Sequence, residues 1–241
     1  MDLSGKVAVI TGASRGLGAG IAQVGHELGM SLALCSRSLP VLASGPHVLA
    51  RELDVTDSDA LEDFTHEASE RFGHVDLWVN NAGLLEPVAP LREAPTEQLR
   101  RLLDVNVLGV ALGSRAYLRL LHRLGGQGLL LNISSGAARK PYHGWSGYCA
   151  SKAAVDRLSE VIALEEGERV RVHSVAPGVV ETGMQETLRG KSSSDFKDVE
   201  RFRGLHESGA LLAPTDAGAA LLRLAFDPAA AREGVCIDLR D

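Results

Sequence analysis

Three residues in the second half of the chain have the types and spacing of a proton-transfer site. Tyr148 lies thirteen residues after Ser135, and Lys152 four residues after Tyr148. Four residues is about one helical turn, so a helix through this stretch sets the phenol and the ammonium on one face. A free tyrosine titrates near pH ~10, and an adjacent fixed positive charge favours the phenolate and brings that value down. A phenol so placed can exchange a proton with an oxygen that passes between alcohol and ketone. The Ser135 hydroxyl is available to hold the same oxygen. Tyr-x-x-x-Lys alone arises by chance on exposed helices, so its weight depends on what accompanies it.

The accompaniment begins at the amino terminus. Residues 6–11 read KVAVIT, a β-branched apolar run suited to a buried parallel strand. A turn containing Gly12, Ser14, Arg15, Gly16, Leu17 and Gly18 follows, and 19–28 then reads as a helix. Strand, glycine-rich turn and helix together make a nucleotide site. The glycines allow a pyrophosphate to approach the backbone, and the helix N-terminus offers free N–H groups with partial positive charge. The spacing here is Gly-x-x-x-Gly-x-Gly, not the commoner Gly-x-Gly-x-x-Gly.

Two arginines bear on which nucleotide is bound. Arg15 sits within the turn, and Ser36 and Arg37 close the second apolar strand, 31–36. In a doubly wound sheet this strand end faces the adenosine ribose, where an acidic residue selects a free 2′-hydroxyl. Guanidinium groups instead match a 2′-phosphate through paired, charge-assisted bonds. The reading is NADPH/NADP+ rather than NADH.

The elements that must position these groups follow from pattern. Strand-like apolar runs recur at 48–53, 77–80, 128–133, 169–176 and 235–238, separated by helical stretches at 58–72, 97–121 and 146–165. Such alternation gives parallel strands with helices on both faces. The expected fold is α/β: one Rossmann-type, doubly wound, seven-stranded parallel sheet spanning 1–241 as a single domain. Ser58 and Thr215 are candidate helix N-caps. The segment joining strands two and three, 38–47, carries two prolines and is too short for a crossover helix, so a turn or irregular loop is expected. Residues 183–207 are polar and charged and directly follow the sixth strand; they are expected to form a mobile substrate loop.

Composition narrows the partners. A chain of 241 residues with 45% hydrophobic content supports one large core. The net charge of −6 argues against nucleic-acid or anionic-membrane binding. No apolar run reaches membrane-spanning length, and no secretory leader is expected. Cys35, Cys149 and Cys236 lack metal-ligand spacing, so a reduced, cytoplasmic protein without a metal is expected. Leucine- and alanine-rich faces on the helices at 97–121 and 146–165 suggest a subunit interface.

Taken in order, the pieces resemble the short-chain dehydrogenase/reductase family over nearly the whole chain. They are TGASRGLG at 11–18, Asp54-Val55, NNAG at 80–83, Asn106, Ser135, Tyr148-x-x-x-Lys152, and Pro177-Gly178 followed by Thr182. The resemblance implies roles for each. Asp54 would accept from the adenine amino group with Val55 beside the ring, and Asn81, Ala82 and Gly83 would line the cofactor. Asn106 would interrupt a helix and join a proton relay to Lys152, which would also grip the nicotinamide ribose. Pro177, Gly178 and Thr182 would position the nicotinamide. A homodimer or homotetramer through the two long helices is implied as well.

Within that family the carboxyl-terminal half is similar to the sepiapterin reductases, through Gly144-Trp145, Ala163-Leu164-Glu165-Glu166, Met184-Gln185 and the tail 234–238. This similarity implies that Asp238 anchors the guanidine-like edge of a pterin, since a carboxylate accepts two parallel N–H bonds. Asp238 could equally cap a turn at a strand end. Trp145 offers a flat stacking surface, but could as well be a core or dimer residue. The expected activity is NADPH-dependent reduction of a small-molecule vicinal dicarbonyl or α-hydroxy ketone. The alternatives are a diketone reductase with no pterin role and a non-catalytic nucleotide-binding scaffold.

Overall fold

The computed structural model describes residues 1–241. Seven parallel strands form one sheet: β1 (Val7–Thr11), β2 (Ser31–Ser36), β3 (Val48–Glu52), β4 (Leu77–Asn80), β5 (Gly128–Ile133), β6 (Val170–Ala176) and β7 (Cys236–Asp238), in the order β3-β2-β1-β4-β5-β6-β7. Their apolar alternation decides what each face carries. Ala8, Ile10, Leu32, Leu34 and Val79 pack against α1 (Gly16–Glu27) and α8 (Pro214–Phe226). Val7, Val9, Ala33, Trp78 and Leu130 pack against α2 (Ser58–Phe72), α4 (Gly109–Leu124) and α5 (Ser146–Glu166). This is the doubly wound seven-stranded arrangement expected from the sequence.

The chain builds outward from β1 through β2 to β3, then crosses back to lay β4 on the other side of β1. The resulting switch point leaves a crevice beyond the carboxyl ends of β1 and β4. A third apolar group covers one end of that crevice: Leu85, Ala137, Trp145, Tyr148, Phe196 and Phe202.

Local differences from the sequence expectations have identifiable causes. Helix α1 starts at Gly16, three residues earlier than the pattern suggested, because tight packing holds two low-propensity glycines in its first turn. Asp57, not Ser58, caps α2, with its carboxylate accepting from the N–H groups of Asp59 and Ala60. Pro214 starts α8 with Ala213 at the cap position, so Thr215 lies inside the helix. The stretch at 97–121 divides into α3 (Thr96–Leu103), a π-helical turn at Asp104–Leu108, and α4. Residues 183–207 are not one loop but two helices, α6 (Gly183–Arg189) and α7 (Val199–Glu207), with buried Leu188, Phe196, Val199 and Phe202 fastening them to the aromatic group. Segment 38–47 is irregular, as its prolines require, and ends in a short bridge between Gly45 and Val48.

Candidate active site

A cleft of about 1200 Å³ runs across the switch point and takes lining from every segment that the motifs marked. At one end lies the glycine turn. Gly12 has φ +69°, and a Cβ there would come within 2.8 Å of the Ala82 backbone. A Cβ on Gly18 would fall 2.4 Å from both Gly12 O and Asn81 Nδ2. Asn81 is the brace of this turn: its Nδ2 donates to Thr11 O at 2.9 Å and Gly12 O at 3.2 Å. Thr11 completes it, accepting at Oγ1 from the Asn81 and Ala82 N–H groups. Arg15 stands at the N-cap with extended backbone and makes no side-chain cap, so the N–H groups of the first turn stay open to a ligand.

Arg15, Ser36 and Arg37 line the same end. Neither guanidinium has an internal hydrogen bond or ion pair, while the Ser36 hydroxyl donates to Ser38 O at 2.6 Å. Asp54 and Val55 form the adjoining wall. Asp54 is already engaged: Oδ1 accepts from the Thr56 N–H and hydroxyl, and Oδ2 from Arg101 of α3. Burial acts to raise the Asp54 carboxyl, but these bonds outweigh it and hold it below the usual carboxylate range. Arg101 was not foreseen, since its link to Asp54 spans 47 positions and leaves no local pattern.

At the other end Ser135, Tyr148, Lys152 and Asn106 converge. Tyr148, Ser151 and Lys152 lie on the buried side of α5. Lys152 reaches back to donate to Ile133 O at the end of β5, at 2.7 Å, with its Nζ 5.7 Å from the Tyr148 ring centroid. Ser135 stands beside the Tyr148 phenol and acts to lower it, and its Oγ accepts from the Ala137 N–H at 3.1 Å. Asn106 lies in the π-helical turn. It grips Leu84 from both sides, with Oδ1 accepting from the N–H at 2.7 Å and Nδ2 donating to the C=O at 2.8 Å, and it also donates to Ser151 Oγ. A Cβ on Gly83 would stand 3.4 Å from Asn106 Oδ1 and 3.8 Å from Lys152 Nζ, so these three groups meet behind the cleft.

The ionisation of the pair differs from the sequence expectation. Burial pushes the Tyr148 phenol up to about 12, with Ser135 opposing it and Cys149 adding to it. Burial also pushes the Lys152 ammonium down to about 8, against the pull of Asp156. Burial is the largest influence on the phenol and outweighs its polar neighbours. A protonated tyrosine beside a charged lysine is a proton donor at neutral pH.

Pro177, Gly178 and Thr182 line the cleft between its two ends; Gly178 has φ +89°, and Thr182 Cγ2 would meet a Cβ on Gly16 at 3.2 Å. Trp145 lines the cleft too, but is only 5% exposed, with its ring centroid 4.7 Å from that of Phe196 and 5.2 Å from that of Tyr148. It is a core residue with one edge in the site. Asp238 is not brought into the lining. Its carboxylate is held by Arg240, which lines the cleft in its place, with Tyr142, Met184, Gln185 and Phe202 nearby. Met184, Gln185 and Phe202 fall in the segment expected to meet substrate, whereas pattern gave no sign of Tyr142 or Arg240.

The residues present fit a nicotinamide dinucleotide: bare glycines against the backbone, an open helix end, free guanidinium groups and a proton donor at the far end. The sequence profile described as short chain dehydrogenase matches residues 6–193. The chain belongs to the short-chain dehydrogenase family. As a member, it is an oxidoreductase acting on alcohols or carbonyls and binding a nicotinamide dinucleotide. It is 34% identical to the benzil reductase ((S)-benzoin forming) of Bacillus subtilis, over 90% of this chain and 91% of that one. A benzil reductase ((S)-benzoin forming) of Saccharomyces cerevisiae is 36% identical, over 91% and 90%. Among solved structures, the KRED1-Pglu enzyme superposes with a TM-score of 0.84 at 37% identity, covering 92% of this chain and 95% of that one. The named relatives thus favour the diketone alternative over the sepiapterin reductase likeness.

Proposed function

We propose that this short-chain dehydrogenase is an NADPH-dependent reductase of small vicinal diketones. The observation that carries the reading is the Tyr148–Ser135 pair: a phenol kept protonated by burial, beside a second hydroxyl, in the cleft that also holds the glycine turn. When bound, the cofactor supplies hydride to the ketone carbon. Tyr148 gives its proton to the oxygen as negative charge develops there, and Ser135 steadies that oxygen; both interactions strengthen toward the transition state. Lys152 keeps a positive charge near the phenol and is placed to replace the spent proton. Asn106 positions the Gly83–Leu84 backbone against that lysine. Trp145, Phe196 and Phe202 keep water from this end.

Arg15 and Arg37 support NADPH over NADH, because two unpaired guanidinium groups line the Asp54 end of the cleft and suit a phosphate. Asp54 would still reach the adenine through its remaining lone pairs. The relatives' printed activity on benzil supports a diketone substrate, and the Arg240 grip on Asp238 weighs against a pterin role. The test is loss of NADPH absorbance with a panel of diketones, monoketones and sepiapterin. Turnover of benzil well above sepiapterin is expected; preferential turnover of sepiapterin would restore the pterin reading.

A homo-oligomer through α4 and α5 belongs to the same proposal. Leu108, Val161 and Leu164 stand exposed beside these helices, Leu164 at 85%, and a shallow groove crosses between them at Ala111, Leu118, Leu158 and Ile162.

A further inference from the structure

Arg240 is the only residue of the carboxyl-terminal tail that lines the cleft, and it is fixed from behind. Its Nε donates to Asp238 Oδ1 at 2.8 Å, its Nη2 to Oδ2, and its backbone N–H to Oδ1 at 3.1 Å. The Asp238 side chain is 8% exposed and that of Arg240 50% exposed, so the carboxylate is the buried anchor and the guanidinium the presented face. A guanidinium has five N–H donors. Asp238 takes two of them and no other protein acceptor meets the group, which leaves three for the cleft.

Its position relative to the chemistry is given by two glycines. A Cβ on Gly136 would come within 3.1 Å of Arg240 Nη2, and one on Gly178 within 3.7 Å of its Cγ. Gly136 directly follows Ser135, and Gly178 belongs to the turn that lines the middle of the cleft. The guanidinium therefore lines the same cleft as Ser135 and Tyr148, against the residue that follows Ser135.

We propose that Arg240 is a specificity-determining residue that binds the second carbonyl oxygen of a vicinal dicarbonyl while Tyr148 and Ser135 take the first. This rests on the diketone reading above and deepens it. Ion pairing with Asp238 offsets the guanidinium charge, so the group suits a neutral acceptor without strongly attracting anions. The planar fork is pre-oriented by two bonds and loses little freedom on binding. The same pairing takes three of the carboxylate's roughly four acceptor positions, so an aminopyrimidinone edge could not make two parallel bonds to it. The carboxylate that reads in the sequence as a ligand anchor thus serves to hold an arginine.

The test compares benzil with deoxybenzoin, which has the same skeleton and lacks one carbonyl, as the ratio of their kcat/KM values with NADPH. Loss of a charge-assisted bond is expected to lower that ratio about ten- to a hundredfold in Arg240→Leu, through KM for benzil. Asp238→Asn, which releases the fork, is expected to lower it less. A wild-type ratio in Arg240→Leu would overturn the proposal. Should that variant not fold, Arg240→Gln is read in the same way. Calorimetric binding of benzil to the NADPH complex of Tyr148→Phe, with and without Arg240→Leu, separates this proposal from the reading it rests on. If wild type reduces neither ketone, the diketone reading falls, and Arg240 is still judged by binding. If wild type reduces benzil but both Tyr148→Phe proteins bind it equally, only the role of Arg240 falls.

Discussion

Burial of Tyr148 should give reduction and oxidation opposite pH dependences, and titrating both directions is the perturbation to apply. Reduction uses the protonated phenol. With the group pushed up to about 12, that form dominates throughout the working range. Oxidation of the alcohol uses the phenolate, which burial makes scarce near neutrality. Lys152, pushed down to about 8, is charged below that value and loses its proton above it. Benzil kcat/KM at saturating NADPH should be level from about pH 6 to near 8, then decline. Benzoin oxidation at saturating NADP+ should climb about tenfold per pH unit until the loss of the lysine charge flattens it. The assay is steady-state absorbance at constant ionic strength in both directions. In Lys152→Met the decline of the reductive limb near 8 should vanish along with most of the rate. A reductive profile falling with a midpoint near neutrality, or an oxidative rate independent of pH, would refute the ionisation scheme.

Other expectations follow from the cofactor end and the aromatic group. Arg37→Ala should reduce the NADPH-over-NADH ratio of kcat/KM about ten- to a hundredfold, because a charged hydrogen bond contributes about 1.5–3 kcal/mol. Gly18→Ala forces a Cβ into Asn81 and the Gly12 carbonyl; overpacking of this kind costs about 1–3 kcal/mol and should appear as a Tm lower by several degrees with weakened NADPH binding. Trp145→Ala removes the hub of the group formed by Tyr142, Tyr148, Phe196 and Phe202; a loss of about 3–5 kcal/mol is expected by denaturant unfolding. Light scattering at micromolar concentration should show a dimer or larger, and Leu164→Glu should shift it toward monomer.

The fold and the catalytic end were legible because each depends on local pattern. Continuous apolar runs marked the strands, and a four-residue step on one helix put Tyr148 and Lys152 on its buried side. The boundary of α1 was misjudged because propensity disfavours Gly16 and Gly18 in a helix, whereas a φ of +57° demands the first and packing against Gly12 and Asn81 the second. The helices in 183–207 were hidden by their polar surface; only Leu188, Val199 and Phe202 turn inward. Arg101 and Arg240 could not be assigned from pattern, because each acts by engaging an acid whose role had been read without a partner. The rise in the Tyr148 pKa was missed for a related reason. Spacing shows that a lysine is near, but not that its bond goes to Ile133 O while burial governs the phenol.

The most direct measurement is on Tyr148→Phe, which removes the proton and keeps the ring that packs against Trp145. NADPH affinity, measured by fluorescence titration, should stay within about twofold of wild type, while kcat for benzil reduction falls about 10²–10⁴-fold. Near-normal turnover by that variant would contradict the assignment of Tyr148 as the proton donor.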